Sequence, residues 1–293
     1  MKASPRVLVG LLAALAACGG PAGRPDGKDP DLNATPDAQT STIDGSTDDG
    51  CADGSRLIYV LDKANKLSTF DPPTKAFVTL GTLDCDTGFA TPFSMGIDRD
   101  AIAWVLYNDG RLFRVDPKTL QCTNTNWAKP LGLTQFGMGF SADVAGGTTD
   151  SLFVAGGLTT SSATTSTLAT VNPSTMATTM VSTLNGWPEL TGTGSGELWA
   201  FFPDTANSRI EQLDKGNGST MTTFPLATLN GARQSWAFAF WGGDFWVFLK
   251  RDMETESTIY QVDASNGAIQ SMTSSDGRSI VGAGVSTCAP IIF

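Results

Sequence analysis

The chain has 293 residues, a formal net charge of −10 and no histidine. The lack of histidine excludes Ser-His-Asp and Cys-His catalysis and histidine-ligated zinc, copper or iron. Because 19 Lys and Arg stand against 29 Asp and Glu and no basic run occurs, binding to nucleic acid or to anionic lipid is disfavoured.

Residues 1–17 have the composition of an export signal. Lys2 and Arg6 precede an apolar stretch over 7–17 that ends in small residues and is too short to be a permanent membrane span. The junction Leu15-Ala16-Ala17-Cys18 resembles the bacterial lipobox, which implies that Cys18 carries acyl chains such as palmitate. By the same resemblance, Gly19 after the cysteine implies sorting to the outer membrane. An ordinary secretory signal with a chance cysteine is the alternative.

Residues 18–55 are predicted to be a disordered tether behind the lipidated cysteine. They are rich in Gly, Pro, Asp and Thr and contain almost no large apolar residue, so burial cannot offset the entropy of ordering them. The acidic residues over 44–53 suggest calcium, but Cys51 stands at a ligand position and no Glu closes an EF-hand loop. We therefore expect no metal and no cofactor.

Short strands centred on an aromatic residue recur over the rest of the chain, at spacings of 45, 49, 46 and 47 residues. A period of about 40–50 residues is that of a propeller blade. Residues 56–293 are therefore predicted to form an all-β domain of five four-stranded antiparallel blades. The central aromatics are Tyr59, Trp104, Phe153, Trp199 and Trp246.

Each aromatic strand is followed by a second strand that ends in an Asp- or Asn-led turn. Asp116-Pro117-Lys118-Thr119 is one example: Asp accepts a local backbone N–H and Pro presets φ for a type I turn. A small-residue strand such as Met95-Gly96-Ile97 precedes the aromatic strand, as expected of an inner strand at a crowded channel. The first blade lacks this strand, and residues 281–285 have no aromatic strand after them. The C-terminus is thus predicted to close the ring.

The block 56–293 resembles the bacterial β-propeller repeats of the NHL, YVTN and streptogramin-lyase type, on the strength of the strand-Asp-Pro-x-Thr signature. The resemblance implies the fold, on a scaffold that carries many unrelated activities. These families usually have six or seven blades, and their lyases use a histidine that this chain lacks. Lyase activity is therefore not expected.

Four cysteines follow Cys18, which in an exported protein predicts two disulfides. Cys51 precedes the first aromatic strand and Cys288 follows the closing strand, so a bond between them would fasten the ring. Cys85 and Cys122 would then link the first two blades. Pairing of Cys51 with Cys85 is the alternative.

Carboxylate chemistry remains open, because some five-bladed propellers are glycosidases with paired acids at the channel mouth. The acids near the predicted inner strands could converge there, although solvated loop acids are the simpler interpretation. Trp236 and Trp241 flank one inner strand and could stack on a sugar or peptide. The acids are Asp98, Asp100, Asp143, Glu189 and Asp244.

Two functions follow from these patterns. The first is a monomeric, lipid-anchored propeller in the outer membrane, which binds or scaffolds an envelope protein, peptide or glycan without catalysis. The second is a carboxylate-dependent, glycan-active enzyme. Convergent acids at the channel mouth would favour the enzyme, and a mouth lined by Ser, Thr and Gly would favour the binding protein.

Overall fold

The computed structural model describes residues 50–159 and 164–292. The export signal over 1–17, the lipidated Cys18 and the tether up to residue 49 lie outside these residues. The described residues contain five four-stranded antiparallel sheets, which confirms the predicted five-bladed propeller. The helical content is two short 3₁₀ turns, Pro130–Gly132 and Ala227–Leu229.

Four of the blades are continuous in sequence, each running from its inner to its outer strand. The second blade comprises β4 (Pro92–Ile97), β5 (Ala103–Tyr107), β6 (Leu112–Val115) and β7 (Cys122–Asn124). The third comprises β8 (Gln135–Ala142), β9 (Asp150–Gly157), β10 (Thr165–Val171) and β11 (Thr178–Asn185). The fourth comprises β12 (Glu189–Gly192), β13 (Leu198–Phe202), β14 (Arg209–Leu213) and β15 (Thr220–Pro225). The fifth comprises β16 (Arg233–Trp241), β17 (Asp244–Arg251), β18 (Thr258–Asp263) and β19 (Ile269–Ser274).

The first blade is built from both ends of the domain. Its order is β20 (Ile280–Gly284), β1 (Ile58–Asp62), β2 (Lys66–Asp71) and β3 (Ala76–Thr82). Tyr59 pairs with Gly284 and Leu61 with Gly282. The predicted closure by the C-terminal strand is confirmed, and it leaves β1 paired on both sides, by β20 and by β2.

The core lies between blades. Five clusters of buried side chains each combine residues of two neighbouring blades, and all five central aromatics are buried in them. Trp246 of the fifth blade, for example, meets Phe70 of the first at 5.3 Å between ring centroids. Such pairs contribute about 0.5–1.5 kcal/mol beyond the area that they bury.

The turn between the two outer strands has one conformation in every blade. Its first residue accepts a backbone hydrogen bond on its side chain or carbonyl, as when Lys118 N–H donates to Asp116 Oδ1 at 2.8 Å. Its fifth residue has a left-handed backbone, which favours glycine, yet three of the blades place another residue there. These five residues are Lys75, Leu120, Met176, Gly218 and Gly267.

Both predicted disulfides are present: Cys51 is bonded to Cys288, and Cys85 to Cys122. Residues 51–55, the last of the predicted tether, pack on the propeller, where Ser286 Oγ donates to the Ser55 carbonyl at 2.7 Å. Buried Ser55 therefore belongs to the domain.

Candidate functional site

The inner strands surround the channel at a spacing that only small residues allow. In each blade the residue paired with the central aromatic is small: Gly96, Gly139, Thr191, Ala239 and Gly284. Two positions earlier stand Ser94, Gly137, Glu189, Ala237 and Gly282. Glu189 is therefore the one large side chain in that ring of five equivalent positions.

The Glu189 carboxyl lies over the backbone of β8 and reaches across it to the second blade. Ser94 Oγ donates to Glu189 Oε2 at 2.9 Å, and the Met138 backbone N–H also donates to this carboxyl. A Cβ atom on Gly137 would lie 3.0 Å from Glu189 Oε2 and 2.3 Å from the Pro188 carbonyl oxygen. The missing side chain at Gly137 thus creates the space in which Ser94 and Glu189 meet.

Burial dominates the electrostatics of this carboxyl. Glu189 is 3 % exposed, and desolvation raises its pKa well above the usual 4.5, although the hydrogen bonds from Ser94 and Met138 act in the opposite direction. No cationic side chain among the described residues forms an ion pair with it. Such a buried acid without a counter-charge is a feature of functional sites more often than of stable cores.

A cavity of about 280 Å³ opens beside Glu189 at the end of the channel where the inner strands begin. Its wall is mostly uncharged and polar, and Glu189 and Lys63 are its charged members. The lining residues are Lys63, Thr91, Pro92, Phe93, Asn108, Gln135, Thr159, Glu189, Gln234, Ser235, Trp236, Ser279 and Val281.

Two polar atoms on this wall have no partner within the protein. Ser235 Oγ and Trp236 Nε1 are buried and make no hydrogen bond, and Ser235 is 9 % exposed. Because buried polar groups normally find a partner, two such atoms in one cavity indicate a place for an external donor or acceptor. Arg233 stacks on the Trp236 ring at 5.4 Å and restrains its orientation.

The opposite end of the channel is covered by the C-terminal segment. Thr287 Oγ1 donates to Asp150 Oδ2 of the third blade at 2.6 Å, and Gly242 N–H of the fifth blade donates to the Pro290 carbonyl at 2.7 Å. Arg99 lies beside both sulfurs of the disulfide between Cys51 and Cys288, at 3.7 and 3.8 Å. The cavity is therefore accessible from one face of the propeller.

The structure separates the seven residues predicted to converge or to bind a ligand. Glu189 and Trp236 lie at the cavity, whereas the other five, Asp100 among them, lie at the covered end. There the Asp98 carboxylate accepts from the Trp104 indole at 2.8 Å, and the Trp241 indole donates to the Arg56 carbonyl at 2.8 Å. Asp143 accepts from Ser151 Oγ at 2.8 Å and Asp244 from the Gln261 amide at 2.7 Å. Desolvation raises the pKa of Asp98 and Asp244, but each serves a local turn or strand pair.

The order of residues along the chain contains the signal that separates them. All inner strands run in one direction, so a residue before such a strand lies at one channel end and a residue after it at the other. Glu189 begins β12, whereas Asp98 and Asp143 follow β4 and β8. The sequence interpretation missed Ser94 and Ser235. For Ser94 the signal was a hydroxyl inside the otherwise apolar strand β4, whereas Ser235 follows Arg233 and Gln234 in β16 and had no such signal.

Neither a grouping of three or more metal-binding side chains nor a helix that could cross a membrane occurs in the part of the chain that the structure describes. The cavity combines one buried acid with neutral polar side chains that can donate or accept hydrogen bonds.

No protein-family model and no curated protein matches the chain. The resemblance to NHL, YVTN and streptogramin-lyase repeats thus stays a prediction. Similar solved structures include the Dos1 propeller, with 16 % identity and a TM-score of 0.44. That match covers 74 % of this chain and 56 % of the Dos1 chain. A protein of unknown function from Bacteroides caccae has 12 % identity and a TM-score of 0.44, over 78 % of this chain and 97 % of that one. Kuenenia stuttgartiensis hydrazine synthase has 12 % identity and a TM-score of 0.42, over 62 % and 49 %. The assignment of blades rests on the strand pairing alone.

Proposed function

We propose that the protein is a lipid-anchored propeller of the bacterial cell envelope that binds an extracytoplasmic ligand or partner segment in the cavity at the channel mouth. The observation that carries this proposal is the cavity itself, with buried Glu189 and the unpartnered atoms of Ser235 and Trp236 on one wall. Sites for external ligands combine concave shape with a few converging polar groups.

The separation of the acids favours binding over glycoside hydrolysis. Hydrolysis of the usual kind needs two carboxyl groups about 5–9.5 Å apart. Glu189 is the one acid among the residues that line the cavity, and Asp98, Asp143 and Asp244 lie at the covered end. Thr91, Ser235, Ser279 and the amides supply the remaining polarity, as expected of a recognition site.

The loops around the mouth favour a macromolecular partner. Four exposed apolar side chains stand in connections on this face, with Phe89 and Met253 almost fully exposed. On a face that also carries the cavity, these side chains would be available to the apolar residues of a partner. The four are Phe89, Leu131, Leu158 and Met253.

The location is proposed from three features. Cys18 follows the lipobox-like junction. The two disulfides fit an oxidising compartment. The chain enters the propeller at Cys51, on the face opposite the cavity, so that an anchor reached through this entry leaves the mouth free.

A thermal-shift screen of the full chain carrying Cys18→Ser, against cell-wall glycans and envelope peptides, tests the proposal. We expect a ligand at about 100 times its Kd to stabilise the protein by about 2.7 kcal/mol, with the shift lost in S235A and E189Q. D244N, at the covered end, is the matched control and should bind as the parent does. Shifts that survive both cavity substitutions would place binding elsewhere. Glycoside turnover lost in E189Q would replace the proposal with the enzyme.

A further inference from the structure

The cavity is lined by one buried acid, Glu189, and no described cationic side chain forms an ion pair with it. Glu189 accepts hydrogen bonds from Ser94 and the Met138 N–H, and both donors are neutral. Lys63, the other charged residue of the wall, is exposed to solvent, where its charge is screened. A buried carboxyl in this state either keeps its proton or requires a cation from outside the protein.

We propose that the cavity binds the primary ammonium group of a peptide, either a lysine side chain or a free N-terminus, and that Glu189 is its counter-ion. The inference rests on the proposed function, whose cavity it uses. An ammonium donates three hydrogen bonds, and three kinds of acceptor lie on the wall: the Glu189 carboxylate, the unpartnered Ser235 hydroxyl and the side-chain amide of Gln234.

An ammonium fits this carboxyl better than a guanidinium does. Ser94 and the Met138 N–H already donate to Glu189, so fewer of its lone pairs are left for the two parallel N–H groups that an arginine presents. A compact ammonium on a flexible stem needs only one remaining lone pair of the carboxylate and fits a cavity of about 280 Å³.

The remaining features of the wall suit a peptide. Trp236 Nε1, which has no acceptor in the protein, would donate to a backbone carbonyl of the bound segment. Phe89 and Leu158 are exposed on the same face and would contact apolar residues next to the one that carries the ammonium group. The net charge of −10 attracts cationic segments over a longer range.

Binding of this kind is coupled to a proton. Desolvation favours the neutral acid in the free protein, and an ammonium partner favours the carboxylate, so Glu189 would release a proton on binding. The other titratable group of the cavity wall is Lys63 of the β1–β2 turn, and Arg233 lies on the Trp236 ring. Around Glu189 itself, β4 and β8 present Ser94 and the Met138 N–H, and β16 presents Ser235 and Trp236.

Isothermal titration calorimetry of the full chain carrying Cys18→Ser tests the inference. The probes are Nα-acetyl-lysine methylamide, its Nε-acetylated form, alanyl-alanine amide with a free N-terminus, and the glucosamine and N-acetylglucosamine pair. We expect at least one peptide probe with an ammonium to bind about tenfold more tightly than the Nε-acetylated lysine probe. Heats in two buffers should show proton release, and the affinity should increase with pH up to about pH 7, below the pKa of about 8 at which a free N-terminus loses its proton. The lysine and alanine probes distinguish a side chain from an N-terminus.

Variants separate this inference from the proposed function. E189Q should abolish both the preference for the cation and the proton release, while D244N should retain them, with circular dichroism confirming folding of each variant. Equal binding of the acetylated probe, or binding unchanged in E189Q, would overturn the ammonium assignment and leave a binding cavity that S235A still tests. Binding of glucosamine alone would overturn the peptide assignment, and binding of none of the five probes would overturn the inference as a whole.

Discussion

Ser94 of the second blade donates a hydrogen bond to Glu189 of the fourth at 2.9 Å, across the intervening inner strand of the third. The contact joins two blades that are not neighbours. It exists because Gly137, the equivalent residue of the third blade, has no side chain to separate them. The candidate site is therefore a property of the closed ring and of no single blade.

The stability of the protein should depend on pH through Glu189. Its folded-state pKa is raised above 4.5, so its contribution is fully present below pH 4.5 and is lost as the pH rises through the folded pKa. Each unit of the shift corresponds to about 1.4 kcal/mol. We expect the melting temperature of E189Q, relative to the parent, to be higher at pH 8 than at pH 4. Calorimetric melting curves of both proteins across this range are the check, and parallel curves would contradict the assignment.

Removal of the Ser94 hydroxyl should destabilise the protein at high pH, where E189Q should stabilise it. The Ser94 hydrogen bond lowers the pKa of Glu189, so S94A raises that pKa further. We therefore expect S94A to destabilise the protein more at pH 8 than at pH 4, by about 1–3 kcal/mol at the higher pH. Ser68, which is buried in another part of the fold, is the matched control: S68A should cost the same at both pH values.

Alanine at Gly137 should destabilise the propeller. Its Cβ would lie 2.3 Å from the Pro188 carbonyl oxygen, and backbone atoms at this distance must move apart. We expect a loss of about 1–3 kcal/mol in the free energy of unfolding, measured by urea denaturation. G216A is the control, since the nearest neighbour of its Cβ would be the Asp214 carboxylate at 3.3 Å. Equal losses in the two variants would contradict the crowding at the inner strands.

Loss of either disulfide should lower the free energy of unfolding by a similar amount, but the structural consequences should differ. The cysteines of the two bonds are 237 and 37 residues apart in sequence. The entropy of closing loops of these lengths corresponds to a stabilisation of about 5 and about 4 kcal/mol. Loss of the first also frees the C-terminal segment that covers the channel. We expect C51S/C288S to expose the C-terminus to limited proteolysis and C85S/C122S to leave it protected. Mass mapping of the fragments is the measurement, and identical cleavage patterns would refute the difference.

The lipid anchor has a direct test in Cys18→Ser. We expect metabolic labelling with a palmitate analogue to disappear and the protein to leave the membrane fraction, because each buried CH₂ of an acyl chain contributes about 0.8 kcal/mol. Unchanged membrane retention would show that the lipobox interpretation is wrong. Cys122→Ser, within the propeller, is the control and should be labelled as the parent is.

The blades could be predicted because their signals are local. A central aromatic and an Asp- or Asn-led turn recur within each unit, and small residues such as Gly96 and Gly139 mark the inner strands. The site depends on register between blades. Ser94 and Glu189 are 95 residues apart and become neighbours through the equivalence of their ring positions. No periodic pattern marks the unpartnered Ser235 hydroxyl, since its state is set by what surrounds it after folding.

The disulfide between Cys51 and Cys288 also determines how a mechanical load enters the domain. A pull on the chain before Cys51 would otherwise peel residues 51–57 and then β1 from the sheet, one hydrogen bond at a time. The covalent link passes that load to the C-terminal segment, which is held to the third and fifth blades by Thr287 and Pro290. With the proposed anchor and a partner in the proposed site, the link would distribute the tension around the ring instead of opening the ring between β20 and β1.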